Sequence, residues 1–570
     1  MSTLLLVLIA LPVLGAIACA MLAANARVAK TVGLVVALGE LVVVGVVWTM
    51  FASTLGTPAG SARFQGEISI SWIPSFGARF SLGVDGIALV MIALLAVLTP
   101  IVLGYTWAEK FDAAGLPEGR TAGGFTALVL TLEAVLVALF SATDVFLFYV
   151  LFEAMLVPMY FLIGRFGGPR RQYAAVKFFL YSFLGGLIML GSVIGLFVAS
   201  GTRLGEATFD WAALQRMAST LPLSTQIPLF LGFFAAFAIK APLVPLHTWL
   251  PDAGAEAPIG AGVILLGVLD KVGVFGFLRY CLPLFPAASR ELAPLVLTLS
   301  VIGVLYGALL AAVQSDMKRF VAYTSIAHFG YIGLGIFAFS TQSIAGAALY
   351  MVNHGISTAM LFLVIGMLAS RGGSAQIADY GGVGKVAPVL AGMFLVGGLS
   401  MLSLPGTNSF VSEFLVLLGS FGPEPAFTVV ATVGIVFAAL YVLWVYQRTM
   451  TGPLRGAAVL GAGPGAASAT TMGAAAGGGV ASAEGSDPPT DTGTGERRRA
   501  RFGDLNRREI AVLTPLVALI LALGFLPGPV LAVLDPAVTA TTAEIGAAPT
   551  AGAPTAGAPT AGAPTPGAPR

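Results

Sequence analysis

The sequence is poor in charged residues and contains only two cysteines and three histidines. Asp, Glu, Lys and Arg make up 10% of its 570 residues, whereas soluble domains carry about 25%. Cys19 and Cys281 lie in separate apolar stretches, and two thiols cannot supply the four ligands of an iron–sulfur cluster or a structural zinc site. There is also no basic tract interleaved with aromatic residues, so nucleic acid is not a predicted partner. Any redox chemistry connected with this chain therefore belongs to another chain.

Hydrophobic residues are abundant instead, at 57% of the chain with a mean hydropathy of +0.93. This composition predicts an all-α polytopic membrane protein. A membrane-spanning helix needs about 20 mostly apolar residues. By that rule we predict about fourteen helices, near 3–24, 30–52, 84–106, 121–141, 143–164, 174–199, 225–250 (interrupted), 258–282, 292–314, 319–340, 344–369, 387–420 (interrupted), 425–447 and 510–533.

The placement of lysine and arginine predicts the orientation of these helices. The first apolar run has its basic residues, Arg27 and Lys30, after it rather than before it, which favours a retained helix over a signal peptide. With the N-terminus outside, most basic residues fall in inner loops, as the positive-inside rule requires. An even number of spans then places both termini on the outer side of the cell (plasma) membrane.

Composition divides the chain into five segments. Residues 1–120 hold the first three helices, and residues 121–450 form the core of helices four to thirteen. Residues 451–509 are rich in Gly, Ala, Ser and Thr, which predicts a disordered cytoplasmic loop. The last helix, 510–533, precedes a tail, 534–570, whose repeated "AGAPT" predicts an extended, disordered segment.

Ionisable residues inside the predicted helices are the main functional signal. A charge near the centre of a bilayer costs several kcal/mol, so it needs a reason to be there. Structural pairing of charges, or shifted helix boundaries, would explain one isolated residue better than a set of both signs. The set comprises Glu133, Glu153, Lys240, Asp270, Lys271, His328, His354 and Glu413.

These residue types together have the parts of a proton relay. Desolvation favours the neutral form of a lysine in general, and a nearby carboxylate opposes this. Movement of the carboxylate can therefore make such a lysine bind or release a proton. Histidine titrates near neutrality without help. The set has no spacing typical of a metal site, and no nucleophile sits beside a base.

Two of the predicted helices are interrupted. Pro242 follows Lys240 directly in "AIKAPLVPL", and Pro405–Gly406 interrupts "LSMLSLPGTNSFVSEF". Broken helices in corresponding halves of a membrane protein often mark a transport site. A simple proline kink is the alternative for either break alone. At the second break, the gap is expected to be lined by Thr407, Asn408 and Ser409.

Four stretches carry a resemblance to a known family. "KAPLVPLHTWLPDAGAEAP" resembles the hallmark of the antiporter-like membrane subunits of respiratory complex I, the proton-pumping NADH:quinone oxidoreductase. These subunits are related to chains of multi-subunit sodium/proton antiporters. "DVFLFYVLFEAMLVPMYFLIG", "SDMKRFVAYTSIAHFGYI" and "LPGTNSFVSEFLVLLGSF" extend the similarity over roughly residues 85–450. Glu413 stands where the related chains usually have lysine, which is typical of the middle pump unit.

The resemblance implies a fold and a set of roles. The fold would hold two inverted five-helix repeats, helices four to eight and nine to thirteen. Glu153 would tune Lys240, the principal proton-binding lysine, and Glu413 would be the exit-side carboxylate. Lys271 would continue the central hydrophilic axis of the family fold, with His328 and His354 as relay elements beside it. Glu133 resembles an acidic residue of the fourth helix. We call Glu153, Lys240, Lys271, His328, His354 and Glu413 the relay series.

The resemblance also implies partners and cofactors. Neighbouring antiporter-like chains, the lipid bilayer and protons would be the partners. This chain would hold no cofactor, whereas FMN, iron–sulfur clusters and quinone would be bound by other subunits. A subunit of a cation/proton antiporter, an arm of a membrane-bound hydrogenase and a structural spacer are the alternatives.

Two further expectations concern orientation. Adjacent residues of a helix do not face each other, so Asp270 is expected to point to a neighbouring helix rather than to Lys271. His247 and Trp249 end the second half of the first broken helix. Because tryptophan is enriched at membrane interfaces, we expect them to be surface anchors, with proton uptake as the alternative.

Overall fold

The computed structural model of the chain describes residues 1–57, 60, 62–109, 118–460 and 502–546, with the side chains of 118–120 excepted. Most of the predicted disordered loop and the "AGAPT" repeats lie outside the described residues. Those two predictions therefore stay predictions.

Helices dominate the described chain, as the composition predicts. The first half contains α1 (Ser2–Met21), α2 (Ala26–Thr54), α3 (Gly86–Tyr105), α4 (Glu118–Ser141), α5 (Val145–Ala154), α6 (Leu156–Phe166), α7 (Arg171–Leu204), α8 (Trp211–Ala218), α9 (Leu223–Lys240), α10 (Trp249–Glu256) and α11 (Ile259–Leu284). The second half contains α12 (Ala293–Ala312), α13 (Met317–Phe337), α14 (Thr341–Gly372), α15 (Pro388–Met401), α16 (Asn408–Phe421), α17 (Pro425–Met450), α18 (Arg507–Phe525) and α19 (Gly528–Glu544).

Thirteen helical segments of the described residues are long and apolar enough to cross a membrane. The shorter helices α15 and α16 follow one another and correspond to the predicted interrupted helix 387–420. The all-α polytopic class is thereby confirmed. The inverted five-helix repeats stay a prediction.

A β-hairpin between α2 and α3 was not expected from the sequence. Strand β1 (Gln65–Ile73) pairs antiparallel with β2 (Ala78–Val84), and Gly77 supplies the positive φ of 64° at the turn. The Ser2 hydroxyl at the start of α1 donates to the Glu67 carbonyl at 3.4 Å. We call this end of the bundle the hairpin face. The opposite end, where α2 begins at Ala26 and α13 at Met317, is the basic face.

The end of the chain differs from the prediction. Helix α18 ends at Phe525, not at residue 533, because Pro527 and Gly528 interrupt the chain and start α19. The predicted extended tail from residue 534 is therefore wrong as far as Glu544. Arg63 holds α19 to the hairpin face by donating to the Ala537 carbonyl at 3.2 Å and to the Thr541 hydroxyl at 3.1 Å.

Two helices form the centre of the bundle. The most apolar 18-residue stretches of α11 and α14 consist entirely of buried residues. In the corresponding stretches of α1, α2, α17 and α18, about one-third of the residues are buried. Peripheral helices therefore present apolar side chains outward, as expected of a surface that meets lipid. The central position of α11 and α14 places Lys271 and His354 in the interior.

Candidate functional site

The first helix break lies directly after Lys240. This residue ends α9, and the next regular helix, α10, begins only at Trp249. The backbone amide of Leu243 donates to the Ala238 carbonyl, five residues back, at 2.9 Å. The Ile239 carbonyl is therefore left without that amide as a hydrogen-bond donor. The indole N–H of Trp249 donates to that carbonyl at 2.7 Å.

The tryptophan and histidine of this segment are interior residues. Trp249 is 0% exposed and His247 is 4% exposed. The prediction that these two residues are surface anchors is therefore wrong. His247 packs edge-on against Tyr306, with ring centroids 5.1 Å apart. Trp249 is buried because its indole N–H donates to the Ile239 carbonyl, which the break leaves without a backbone partner. A buried carbonyl needs such a donor, but composition does not show which residue supplies it.

The ammonium group of Lys240 is enclosed by aromatic rings. Its Nζ lies 4.8 Å from the centroid of Phe178, and Trp249 is at 6.0 Å. Its direct polar contact is the Ser182 hydroxyl of α7, at 3.4 Å. Lys240 is fully buried, so aromatic faces replace part of the water that an ammonium normally binds.

Glu153 approaches the same face of α7. A Cβ atom added to Gly186 would lie 1.4 Å from Glu153 Oε1, so the carboxylate occupies the space that this glycine leaves open. Gly186 is one helical turn beyond Ser182, the contact of Lys240. Glu153 and Lys240 therefore approach α7 one helical turn apart, near enough for their charges to act on each other.

Asp270 and Lys271 form a buried ion pair, with Lys271 Nζ 2.9 Å from Asp270 Oδ1. The expectation that Asp270 points to a neighbouring helix is therefore wrong. A π-helical turn at Leu265–Leu269 precedes the pair and alters the regular α-helical spacing. The Lys271 ammonium also donates to the Leu266 carbonyl within that turn.

The two predicted histidines stand together beyond Lys271. The rings of His328 and His354 have centroids 5.3 Å apart. Phe329 lies between lysine and histidine, 5.3 Å from Lys271 Nζ and 5.5 Å from the His354 ring. Thr358, one turn along α14, is 3.2 Å from His354 Nε2.

Glu413 is connected to His328 by a tyrosine that the sequence did not single out. The Tyr350 hydroxyl is 2.7 Å from His328 Nδ1 and donates to Glu413 Oε2 at 2.7 Å. Ser403, inside the second break, donates to the same carboxylate oxygen at 2.7 Å. The available signal for Tyr350 was its position one helical turn before His354 on α14.

The second helix break is held by neutral polar side chains. Asn408 Oδ1 accepts a hydrogen bond from the Ser400 hydroxyl at 2.6 Å. Ser357 is 2.6 Å from Ser400 and 3.0 Å from Ser409. The prediction that Asn408 and Ser409 line this gap agrees with these contacts, and Thr407 caps its own turn by donating to the Leu404 carbonyl at 2.7 Å.

Glu133 is not associated with the relay series. Its carboxyl group on α4 faces that of Glu40 on α2, and the two side chains are 1% and 0% exposed. Glu40 is a single acidic residue within the strongly apolar "VVALGELVVV", and nothing in that stretch indicates a second carboxylate beside it.

A second buried ion pair lies near the hairpin face. Arg279 Nη2 is 2.6 Å from Asp85 Oδ1, and the two side chains are 2% and 3% exposed. Arg279 is a buried residue in the last part of α11, at the end of that helix near the hairpin face. The guanidinium group packs 4.6 Å from the centroid of Phe64, the residue that precedes β1.

A cavity of about 520 Å³ with several charged lining residues opens at the basic face. Its lining includes Glu109, Glu256, Lys318 and Glu509. Glu109 follows α3 and lies outside the membrane-spanning segment. Burial raises the pKa of Glu109 to about 7, against the hydrogen bond from Tyr105 and the charges of nearby basic residues.

Metal-binding clusters are not found among the described residues: no group of three or more His, Cys, Asp or Glu side chains could hold an ion there. Between the two helix breaks the structure brings together carboxylate, lysine and histidine side chains. These are the residue types that bind and release protons in proteins.

A central helix bundle with two broken helices and a buried row of carboxylate, lysine and histidine defines an antiporter-like transmembrane subunit. The transmembrane family described as NADH:quinone oxidoreductase/Mrp antiporter matches residues 142–438. The chain belongs to this family.

Curated relatives are similar over nearly the whole chain. NADH-quinone oxidoreductase subunit M of Mycobacterium tuberculosis is 44% identical over 91% of this chain and 90% of its own length. The subunit of the same name from Rickettsia conorii is 36% identical over 82% of this chain and 84% of its own.

Solved structures agree with the fold. A chain of respiratory complex I from Thermus thermophilus is 28% identical, with a TM-score of 0.75 over 94% of this chain and all of that one. A chain of the Mrp complex from Dietzia sp. gives a TM-score of 0.77 at 21% identity over 96% of this chain and 99% of that one. The second likeness concerns the fold alone.

Proposed function

We propose that this chain is a membrane-arm subunit of NADH:quinone oxidoreductase that translocates protons through the relay series. NADH oxidation and quinone reduction would take place in other subunits, which would hold FMN, iron–sulfur clusters and quinone. Neighbouring antiporter-like chains in the same cell membrane would be its direct partners.

The observation that supports this proposal best is the number of buried or half-buried ionisable groups that the bundle brings together. Glu153 and Lys240 lie along α7, the Asp270–Lys271 pair lies on central helix α11, and the two histidines lead to Glu413. Glu153 is half-buried, and the other groups are fully buried inside the bundle, where an unneeded charge is costly. A helix break adjoins the row at Lys240 and again at Ser403.

The breaks suggest how the row meets water. Beyond the first break, Asp252 of α10 binds Lys177 at 2.7 Å near the basic face. Beyond the second, α16 runs from the Glu413 region to the hairpin face, where its Gly419 carbonyl accepts from Ser340 at 2.8 Å. We assign proton entry to the basic face and exit to the hairpin face. By the positive-inside rule, Lys30 and Lys318 at the basic face support the proposal that this face is cytoplasmic and that both chain termini are outside.

A subunit of a cation/proton antiporter is the second candidate. The fold alone fits it equally, as the TM-score of 0.77 against the Mrp chain indicates. The 44% identity to an oxidoreductase subunit over 91% of the chain favours the first proposal. The third neighbour, a chain of an archaeal membrane-bound sulfane sulfur reductase, also supports only the fold, at 20% identity.

Replacement of Lys240 or Glu153 tests the proposal. We expect Lys240→Met and Glu153→Ala to nearly abolish proton pumping coupled to NADH oxidation in membrane vesicles, while the complex still assembles. Lys385→Met, at an exposed lysine of the basic face, is the matched control and should pump normally. Normal pumping by either relay variant would disprove the assignment.

Lys240→Arg separates proton exchange from fixed charge. Arginine keeps the positive charge but does not release its proton at accessible pH, so this variant should also fail to pump. Full activity in Lys240→Arg would mean that position 240 supplies only a constant charge.

A further inference from the structure

A tyrosine hydroxyl fills the space between the histidines and the last carboxylate of the relay series. Tyr350 is fully buried, and its Oη is 2.7 Å from both His328 Nδ1 and Glu413 Oε2. We propose that Tyr350 is a relay residue that passes protons from His328 to Glu413. This inference rests on the proposed function and adds a residue to its path.

The hydrogen bonds of Tyr350 have a direction. A phenol has one proton to donate, and that proton goes to the Glu413 carboxylate. The short contact to His328 must then be donated by the histidine, which places the ring proton on Nδ1. His328 Nε2 is consequently the free basic nitrogen, the place at which a proton can arrive.

The second helix break provides a partner for the arriving proton. The backbone of Met401, the last residue of α15, lies near the His328 ring, and His328 Nε2 has no hydrogen-bond partner among the described residues. Pro405, four residues further on, has no N–H with which to satisfy the Met401 carbonyl, and no other backbone donor of the break binds that carbonyl. We infer that the Met401 carbonyl accepts from Nε2–H once His328 is protonated.

The transfer balances as two linked hops. A proton binds His328 Nε2, the Nδ1 proton moves to Tyr350 Oη, and the phenol proton moves to Glu413 Oε2. The products are a neutral imidazole protonated at Nε2, an intact phenol and a neutral carboxylic acid. One proton has entered the chain, no bond other than N–H and O–H has changed, and neither tyrosinate nor protonated phenol accumulates.

Ser403 orients the acceptor of this transfer. Its hydroxyl donates to the same Glu413 oxygen as Tyr350 does, and its backbone has a φ of 56°, a left-handed conformation rarely adopted by residues other than glycine. The break thus holds a hydroxyl where it fixes the carboxylate. Ser403 is a positioning residue, because the transferred proton does not pass through it.

Replacement of the phenol by a benzene ring tests the proposal. Tyr350→Phe removes one oxygen and keeps the ring, and we expect coupled proton pumping to fall at least about tenfold, since a positioned proton carrier commonly contributes 10²–10⁴-fold. Tyr331→Phe is the matched control. Its buried hydroxyl donates to the Ala431 carbonyl at 2.9 Å, and its ring lies 6.5 Å from that of Tyr350.

A second measurement separates transfer from packing. In the assembled complex, 3,5-difluorotyrosine at position 350 keeps the hydroxyl but changes its acidity. We expect the pumping rate and its solvent deuterium isotope effect to change with this analogue, which a purely structural hydroxyl would not produce. The same measurement serves if Tyr350→Phe fails to assemble.

The outcomes distinguish this inference from the proposed function. Normal pumping in Tyr350→Phe, or an unchanged rate and isotope effect with difluorotyrosine, overturns the role of Tyr350 if Lys240→Met is still inactive. If Lys240→Met also pumps normally, the proposed function fails as well. An equal loss in Tyr331→Phe would assign the effect to packing and would also overturn the proposal.

Discussion

Asn353 of α14 and Asn408, the residue that follows the second helix break, exchange hydrogen bonds. The Asn353 side-chain amide donates to the Asn408 carbonyl at 2.7 Å, and the Asn408 amide donates to the Asn353 carbonyl at 3.0 Å. Because Asn408 is the first residue of α16, this reciprocal pair attaches the start of the helix that carries Glu413 to the central helix α14.

Asn408→Leu should loosen this attachment. The change removes the donor to Asn353 and the acceptor of Ser400, and each buried polar group left without a partner costs about 1–3 kcal/mol. We expect a lower midpoint of thermal denaturation for the assembled complex, together with slower pumping. Gln172→Leu, at an exposed amide of α7, should change neither, and an unaltered midpoint in Asn408→Leu would contradict the attachment.

Ser182→Ala should impair Lys240 without touching its charge. The serine hydroxyl is the direct polar contact of the ammonium group at 3.4 Å, and hydrogen bonds to charged groups contribute about 1.5–3 kcal/mol. We expect slower pumping and a shift in the pH dependence of activity, measured in vesicles. Ser192→Ala, on the same helix and against Gly232 of α9, is the control. Identical pH profiles for the two variants would rule out the contact as functional.

Arg279→Leu should destabilise the complex more than the double variant Asp85→Asn/Arg279→Leu. Removal of one partner from a buried ion pair commonly costs about 3–5 kcal/mol, because the other charge remains uncompensated. Asparagine at position 85 removes that charge and can still cap α3, where Asp85 accepts from the Ala88 amide at 2.9 Å. Thermal denaturation of the assembled complex measures both. If the single and double variants are equally unstable, the ion pair is not the source of the loss.

Glu109→Gln should reduce the pH dependence of stability at the basic face. Burial raises the Glu109 pKa from 4.5 to about 7, so the unfolded chain binds fewer protons than the folded one in this interval. The contribution to stability is complete below pH 4.5 and is lost as the pH rises through about 7. At about 1.4 kcal/mol per pKa unit, the loss is at most about 3.5 kcal/mol.

The measurement for Glu109 is the thermal midpoint at pH 5 and pH 8. We expect the midpoint of the original complex to fall over this range by more than that of Glu109→Gln. Glu67→Gln, at an exposed residue of the hairpin, should behave like the original. Parallel curves for Glu109→Gln and the original would refute the prediction.

The spans and the breaks were predictable because each follows from local chemistry. A run of about 20 apolar residues must cross, and a proline removes a backbone donor where it stands. The hairpin at Gln65–Val84 was not predicted because its strands are much shorter than the apolar run of about 20 residues that marks a membrane-spanning helix. The start of α19 at Gly528 was missed because the apolar run continues through Pro527.

The contacts within the site were less predictable because they depend on packing between distant segments. The Asp270–Lys271 pair depends on a π-turn, which alters the spacing that the sequence prediction assumed. Tyr350 and Ser403 both donate a hydrogen bond to Glu413, from which they are separated by 63 and 10 residues in the chain. Trp249 is interior because the chain after the first break returns towards Ile239, where the indole N–H binds the carbonyl. None of these distances is encoded in composition or periodicity.

The missing side chain of Gly186 has a consequence for engineering this protein. Because the carboxylate of Glu153 fills the volume of the absent Cβ, a single methyl group there would act as a wedge. It would displace a flexible acidic side chain while leaving both partners of the Glu153–Lys240 pair chemically unchanged. Position 186 thus offers a way to vary the spacing between an acid and a base by steric means alone.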